Sequence, residues 1–293
     1  MDLDRRDTAM ELFSTLSDSP RRDIAAAALQ QLLEHEQRTG NEAGVSAVII
    51  KAENLLRSDP ESLAEFWQRV GSGAFHDAQY DVARSYFLRI SAILGSSRLP
   101  QAVPIYLAEI EYREGDPEAA YQTLLESQGR IRGDSALLKL RLGWYALLNG
   151  DADSARKHLE DALLSSEQEK NKELELLAKS YLAHSLYRSG NAETAVSILT
   201  GLDAAGPEAA AYTDKRLLAA AYRKAGQAEA SLEAYDASLA RNPDNAELQV
   251  ERMALLFENT QYQRVLGAAR TLESSGQHKR LGSDYYYAFH YFS

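Results

Sequence analysis

The chain has 293 residues, 45% hydrophobic and 26% charged, and its 32 Lys plus Arg stand against 43 Asp plus Glu for a net charge of -11. That balance belongs to a folded globular protein, and its acidity disfavours a partner that presents a phosphate backbone or an anionic membrane. With no cysteine, disulfides, thiolate metal sites and a cysteine nucleophile are excluded.

Helix formers fill long stretches, and the 7 prolines sit mostly where helices would begin or end. The opening MDLDRRDTAM carries no apolar signal-type core, and no stretch reaches the roughly 18 apolar residues of a membrane span. A cysteine-free composition suits a reducing cytoplasm and an envelope compartment such as the periplasm equally.

In chain order, a first helix over about 5–16 precedes a poor helical pair within about 22–60, marked by Leu33, Gly40, Val45, Ile49 and Ala52. Short polar breaks then recur, most of them containing glycine. Their centres are Gly40, Ala78, Gly115, Gly150, Gly190, Gly226 and Thr260, separated by 38, 37, 35, 40, 36 and 34 residues. Each break parts two amphipathic stretches, the pattern of a helical hairpin. A glycine there ends a helix in the left-handed conformation, and a following Asp or Asn caps the next one.

Around each break the same residue sizes return. A small residue lies seven before the centre (Gly71, Ala108, Gly143, Ala183, Ala219), and another follows twelve later (Ala83, Ala120, Ala155, Ala195, Ser231). Four further on comes a large one: Phe87, Leu124, Leu159, Leu199 or Tyr235. Small residues let two antiparallel helices approach, and the large residue is expected to fill the gap to the neighbouring hairpin. Pro207 and Pro243 close two units where the next helix starts.

These residues resemble the tetratricopeptide repeat, whose signature is W-x2-L-G-x2-Y, A-x3-F and P. Trp67, Val70 and Gly71 with Ala83 and Phe87, and Leu218, Ala219 and Tyr222 with Tyr235 and Pro243, are its best copies; Leu142-Gly143 and Leu182-Ala183 match its middle. The resemblance covers 64–279 in six units, 64–97, 101–134, 136–169, 176–209, 212–245 and 246–279, the last degenerate. Residues 1–63 then form a degenerate repeat or cap. The aromatic tail 280–293 reads as the opening helix of an eighth unit, either a terminal cap or a repeat that continues in a longer chain. Pentatricopeptide repeats have a similar period but bind RNA, which an acidic chain suits poorly. Sel1-like repeats are set aside less firmly, and HEAT pairs are longer and lack the alanine spacing. The implied fold is an all-α, right-handed superhelical solenoid of about seven antiparallel helix pairs.

The resemblance further implies that the first helix of each pair lines a concave groove that receives a peptide or helix. The lining rows here hold Tyr112, Arg113, Trp144, His184, Tyr187, Arg188, Arg223 and Lys224. Aromatic and arginine side chains carry binding energy at interfaces, and the basic groups favour an acidic segment. At any one position the blander reading is stronger: tyrosine packing on the next hairpin, and a cation at a helix C-terminus. The clamp that holds the C-terminal tails of chaperones in this family is not matched, since Gln68, Ser72, Tyr106 and Leu137 occupy its slots beside Arg141.

No enzyme chemistry is legible. The six histidines (His35, His76, His158, His184, His278, His290) have no ligand spacing, and Gly71-Ser72-Gly73 precedes no phosphate-loop lysine and reads as close packing. No cofactor and no metal are expected. The expected function is a non-enzymatic scaffold or adaptor for a protein partner, with no nucleic acid and no membrane insertion. Alternatives are self-assembly through the aromatic tail (Tyr285, Tyr286, Tyr287, Phe289, Tyr291) or enclosure of a small apolar ligand.

Overall fold

The computed structural model describes residues 2–95, 99–129, 131, 135–274 and 276, with side chains from residue 8 onward. The aromatic tail lies outside them. The chain divides into two units, 1–134 and 135–293. In the first, α1 (Asp2–Leu16) packs on α2 (Arg22–Thr39), which pairs with α3 (Glu42–Leu56). Then α4 (Pro60–His76) pairs with α5 (Tyr80–Leu94), and α6 (Ala102–Arg113) with α7 (Pro117–Ser127). In the second unit the pairs are α8 (Ala136–Leu148) with α9 (Ala152–Gln168), and α10 (Lys172–Arg188) with α11 (Ala192–Ala204). A short α12 (Pro207–Ala210) precedes α13 (Lys215–Lys224) with α14 (Ala228–Arg241), and α15 (Ala246–Glu258) with α16 (Tyr262–Ser274). No strand occurs among the described residues, only an isolated bridge between Leu99 and Ile131.

Every one of the seven sequence breaks is a hairpin turn with its central residue at positive φ: Gly40 (69°), Ala78 (59°), Gly115 (94°), Gly150 (83°), Gly190 (91°), Gly226 (76°) and Thr260 (59°). The hydrogen bonds are alike throughout. At the fourth turn the Gly150 amide donates to the Leu147 carbonyl and that of Asp151 to Ala146, the two-bond closure that satisfies the last carbonyls of a helix. Asn41, Asp116 and Asp151 then cap the following helix through their side chains, whereas Asn191 does not. A further closure, centred on Lys170 at φ 54°, joins α9 to α10 and carries no glycine to announce it.

The recurring small residues have the purpose their spacing suggests. A Cβ on Gly143 would lie 2.5 Å from Leu159 Cγ, and one on Gly71 would lie 3.1 Å from the Phe87 ring. In these two hairpins the large residue therefore closes on the small residue of its own hairpin, and not only on the neighbouring hairpin. Phe87 does both, since its other side stacks on Tyr106 of α6 at 4.9 Å. Ser231 replaces alanine in this scheme without leaving a buried group unmatched, because its hydroxyl donates to the Ala219 carbonyl at 2.7 Å. Gly73 differs: a Cβ there would meet nothing within 4 Å, so close packing explains Gly71 and not Gly73.

The first unit has a continuous core around Trp67, Phe66, Phe87 and Ile90. In the second unit α8 and α10 pack directly, whereas α13 packs on α11 and α14. The cause is local. From Ala136 to Gly150 and from Ala246 to Thr260 is 14 residues, but from Lys215 to Gly226 only 11. In that hairpin α12, Thr213 and Asp214 occupy the place of the opening helical turn. The Lys215–Asp203 ion pair ties the shortened start to α11, and a gap remains between α10 and α13.

Candidate functional site

That gap is a cavity of about 720 Å³ in the second unit. Its walls come from α10 (His184, Tyr187, Arg188), α13 with its capping residue (Asp214, Arg216, Leu217, Ala220, Arg223, Lys224), α14 (Tyr235) and α15 (Glu251, Glu258). Helical spacing aligns the side chains: His184 and Arg188 are four apart, and Arg216, Ala220 and Arg223 follow the i, i+4, i+7 stripe of one helix face.

Five residues singled out in the sequence, His184, Tyr187, Arg188, Arg223 and Lys224, thus meet around one cavity. Trp144 stands outside it, stacked on Tyr181 at 4.5 Å. Tyr112 and Arg113 belong to the first unit. There the Arg113 guanidinium lies over the Phe75 ring at 5.4 Å and pairs with Glu109 at 3.2 Å. Arg113 is already held by Glu109 of its own helix and by the aromatic rings of the preceding hairpin.

The cations of the cavity divide into two kinds. Arg223 pairs with Glu258, and Arg216 with Glu251 at 2.6 Å and Glu247 at 3.4 Å. Arg188 and Lys224 instead donate to backbone: Arg188 to the Leu147 carbonyl at 2.6 Å, and Lys224 to the Tyr187 carbonyl at 3.0 Å with its ammonium over the Tyr187 ring. Each cation shares a carbonyl in the last turn of the preceding first helix with the amide of the turn glycine, Gly150 or Gly190, where the helix dipole favours positive charge. One such bond leaves further N–H donors on an exposed guanidinium and an exposed ammonium.

At the rim His184 Nε2 and Asp214 Oδ2 lie 3.2 Å apart, and Asp214 also accepts the Leu217 amide at 3.0 Å to cap α13. The His184 hydrogen bond holds the Asp214 carboxyl below its ordinary range, with the backbone amides adding to it against partial burial. Behind it the Tyr235 phenol is pushed up to about 12, first by burial and then by the charge of Glu251. The floor is thus a neutral phenol beside Leu217 and Ala220.

Sequence reading did not place Arg216, Asp214 or Glu251 at a site, and took Tyr235 only as the large packing residue of its hairpin. A signal was present: Arg216 and Glu251, and Arg223 and Glu258, are opposite charges 35 residues apart, one repeat period.

A run of hairpins, each joined by a left-handed turn and closed small residue against large, is the tetratricopeptide-repeat fold. Solved structures agree. A chain of the APC/C hetero-tetramer Cut9–Hcn1 aligns over 92% of this chain at 15% identity with a TM-score of 0.52, and this chain spans 48% of it. A tetratricopeptide repeat protein from Parabacteroides merdae aligns over 89% of this chain and 98% of its own at 13% identity, TM-score 0.54. YrrB, a TPR protein with an unusual peptide-binding site, covers 67% of this chain and 94% of its own at 13% identity, TM-score 0.54. No protein-family model and no curated protein sequence matches the chain. Among the described residues no helix is long and apolar enough to cross a membrane.

Proposed function

We propose that the protein is a non-enzymatic interaction scaffold, and that the cavity bounded by α10, α13 and α15 receives a protein segment bearing an acidic side chain. The observation that carries this reading is the pair Arg188 and Lys224: among the cavity's cations, these two have no carboxylate within ion-pair distance in the described residues. Tyr187 lines the same wall with the Lys224 ammonium over its ring, an aromatic anchor with two donors, which is the composition of an interface hot spot. The fold supports the reading, since repeat hairpins present extended surfaces to partners, and YrrB is a peptide-binding example. The His184–Asp214 pair does not count against it. Its role as a helix cap accounts for the geometry without any reaction.

The test is a pull-down from native lysate, wild type beside Arg188→Glu/Lys224→Glu, read by mass spectrometry. A partner held by wild type and lost by the variant, with circular dichroism unchanged, supports the assignment. Equal recovery by both proteins refutes it.

A further inference from the structure

We infer that the segment this cavity takes is dipolar, with its acidic side chain over α10 and α13 and a basic or neutral residue over α15, so that a uniformly acidic segment is rejected. The inference rests on the reading that the cavity binds a protein segment.

Its basis is a change of sign along one row. Two residues before the seven turn centres the chain places Arg38, His76, Arg113, Leu148, Arg188 and Lys224, and then Glu258. Glu258 cannot donate to the preceding helix as Arg188 and Lys224 do; it takes the Arg223 guanidinium instead. Glu247, Glu251 and Glu258 are spaced i, i+4 and i+11, which sets all three within one narrow face of α15. Arg216 of the lining serves both Glu251, also of the lining, and Glu247 just outside it, so two arginines of α13 meet three carboxylates, and the α15 side stays negative through Glu247. Those carboxylates are within reach of a ligand, with Glu247 71% and Glu258 49% exposed as side chains. Crossing from α10 to α15, a bound chain meets surplus positive charge and then surplus negative charge. Neighbouring helix axes lie about 10 Å apart, about three extended residues and comparable with the Debye length at physiological salt. Two charges on one ligand therefore sense the two sides separately.

The test uses two labelled synthetic peptides of equal length, one with an acidic pair three residues before a lysine pair, the other all glutamate with the same end groups, followed by fluorescence anisotropy at low salt. The wild type should bind the dipolar peptide about fivefold or more tightly than oligoglutamate, the scale of one or two exposed charge contacts. In Glu247→Gln/Glu258→Gln, both substitutions on exposed side chains, that preference should fall towards one, by gain of oligoglutamate binding. Oligoglutamate binding the wild type as tightly as the dipolar peptide overturns the inference while leaving an acidic-segment site in place. If Arg188→Ala/Lys224→Ala changes binding of neither peptide, the cavity assignment itself fails, and the dipolar inference with it.

Discussion

Two glycines on first helices should respond to alanine with opposite signs. In Gly143→Ala the new methyl meets Leu159 Cγ at 2.5 Å and Cδ2 at 2.7 Å, and the Ala155 carbonyl at 3.3 Å, while Leu159 is fully buried with nowhere to retreat. Overpacking of this kind costs roughly 1–3 kcal/mol, against which the helix gains up to about 1 kcal/mol from losing a glycine. Contacts as short as 2.5 Å put the overpacking in the upper part of that range, about 2–3 kcal/mol, so the net expectation is a loss of about 1–2 kcal/mol. Gly73→Ala places its methyl in open space and keeps only the helix term, a gain of about 0.5–1 kcal/mol. Urea unfolding followed by far-ultraviolet circular dichroism gives both values. Adding Leu159→Val to Gly143→Ala should cost less than the sum of the single changes, since the smaller side chain relieves the clash. A Gly143→Ala protein as stable as wild type would refute the small-against-large account of how these hairpins close.

Other outcomes follow from the turns and the titrating groups. Thr260→Gly and Ala78→Gly should each stabilise by about 1 kcal/mol in thermal unfolding, because both residues hold a left-handed conformation that costs a side chain. Asp214→Ala should cost about 1 kcal/mol at neutral pH through the lost helix cap. The folded Asp214 carboxyl lies below its ordinary value, so its contribution is complete above about pH 4 and disappears as pH falls through that lower value. The gap between wild type and variant in urea unfolding should close there. Glu111 behaves in the opposite sense: burial raises its pKa, so the folded chain binds its proton more readily and gains stability as pH falls through the raised value. Glu111→Gln should therefore be the more stable protein at neutral pH, with the advantage shrinking in acid.

The hairpins were legible in the sequence because their turns require a backbone that glycine adopts without strain, and five of the seven turn centres are glycine. Ala78 and Thr260 were found by period alone. The turn at Lys170 escaped both signals, since a lysine in that conformation leaves no compositional mark. The cavity was half legible. His184, Tyr187, Arg188, Arg223 and Lys224 follow from their register, but α13 also starts three residues later relative to its turn than α8 and α15 do, which the step of 36 residues between turns conceals. Glu251 was passed over because acidic residues abound on these helices, and only its pairing with Arg216 across one period distinguishes it.

The turn closures carry a consequence for how the chain acquires its structure. Each is made by residues within five positions of one another, and even the hydrogen bond from Gln37 to Tyr86 spans only 49 residues. A chain whose contacts are this local has low contact order, so it can begin folding at any hairpin and extend outward, with little entropy lost in closing long loops. During synthesis the early hairpins can be in place while later ones are still being made, and within each unit a hairpin leaves a face that the next one covers.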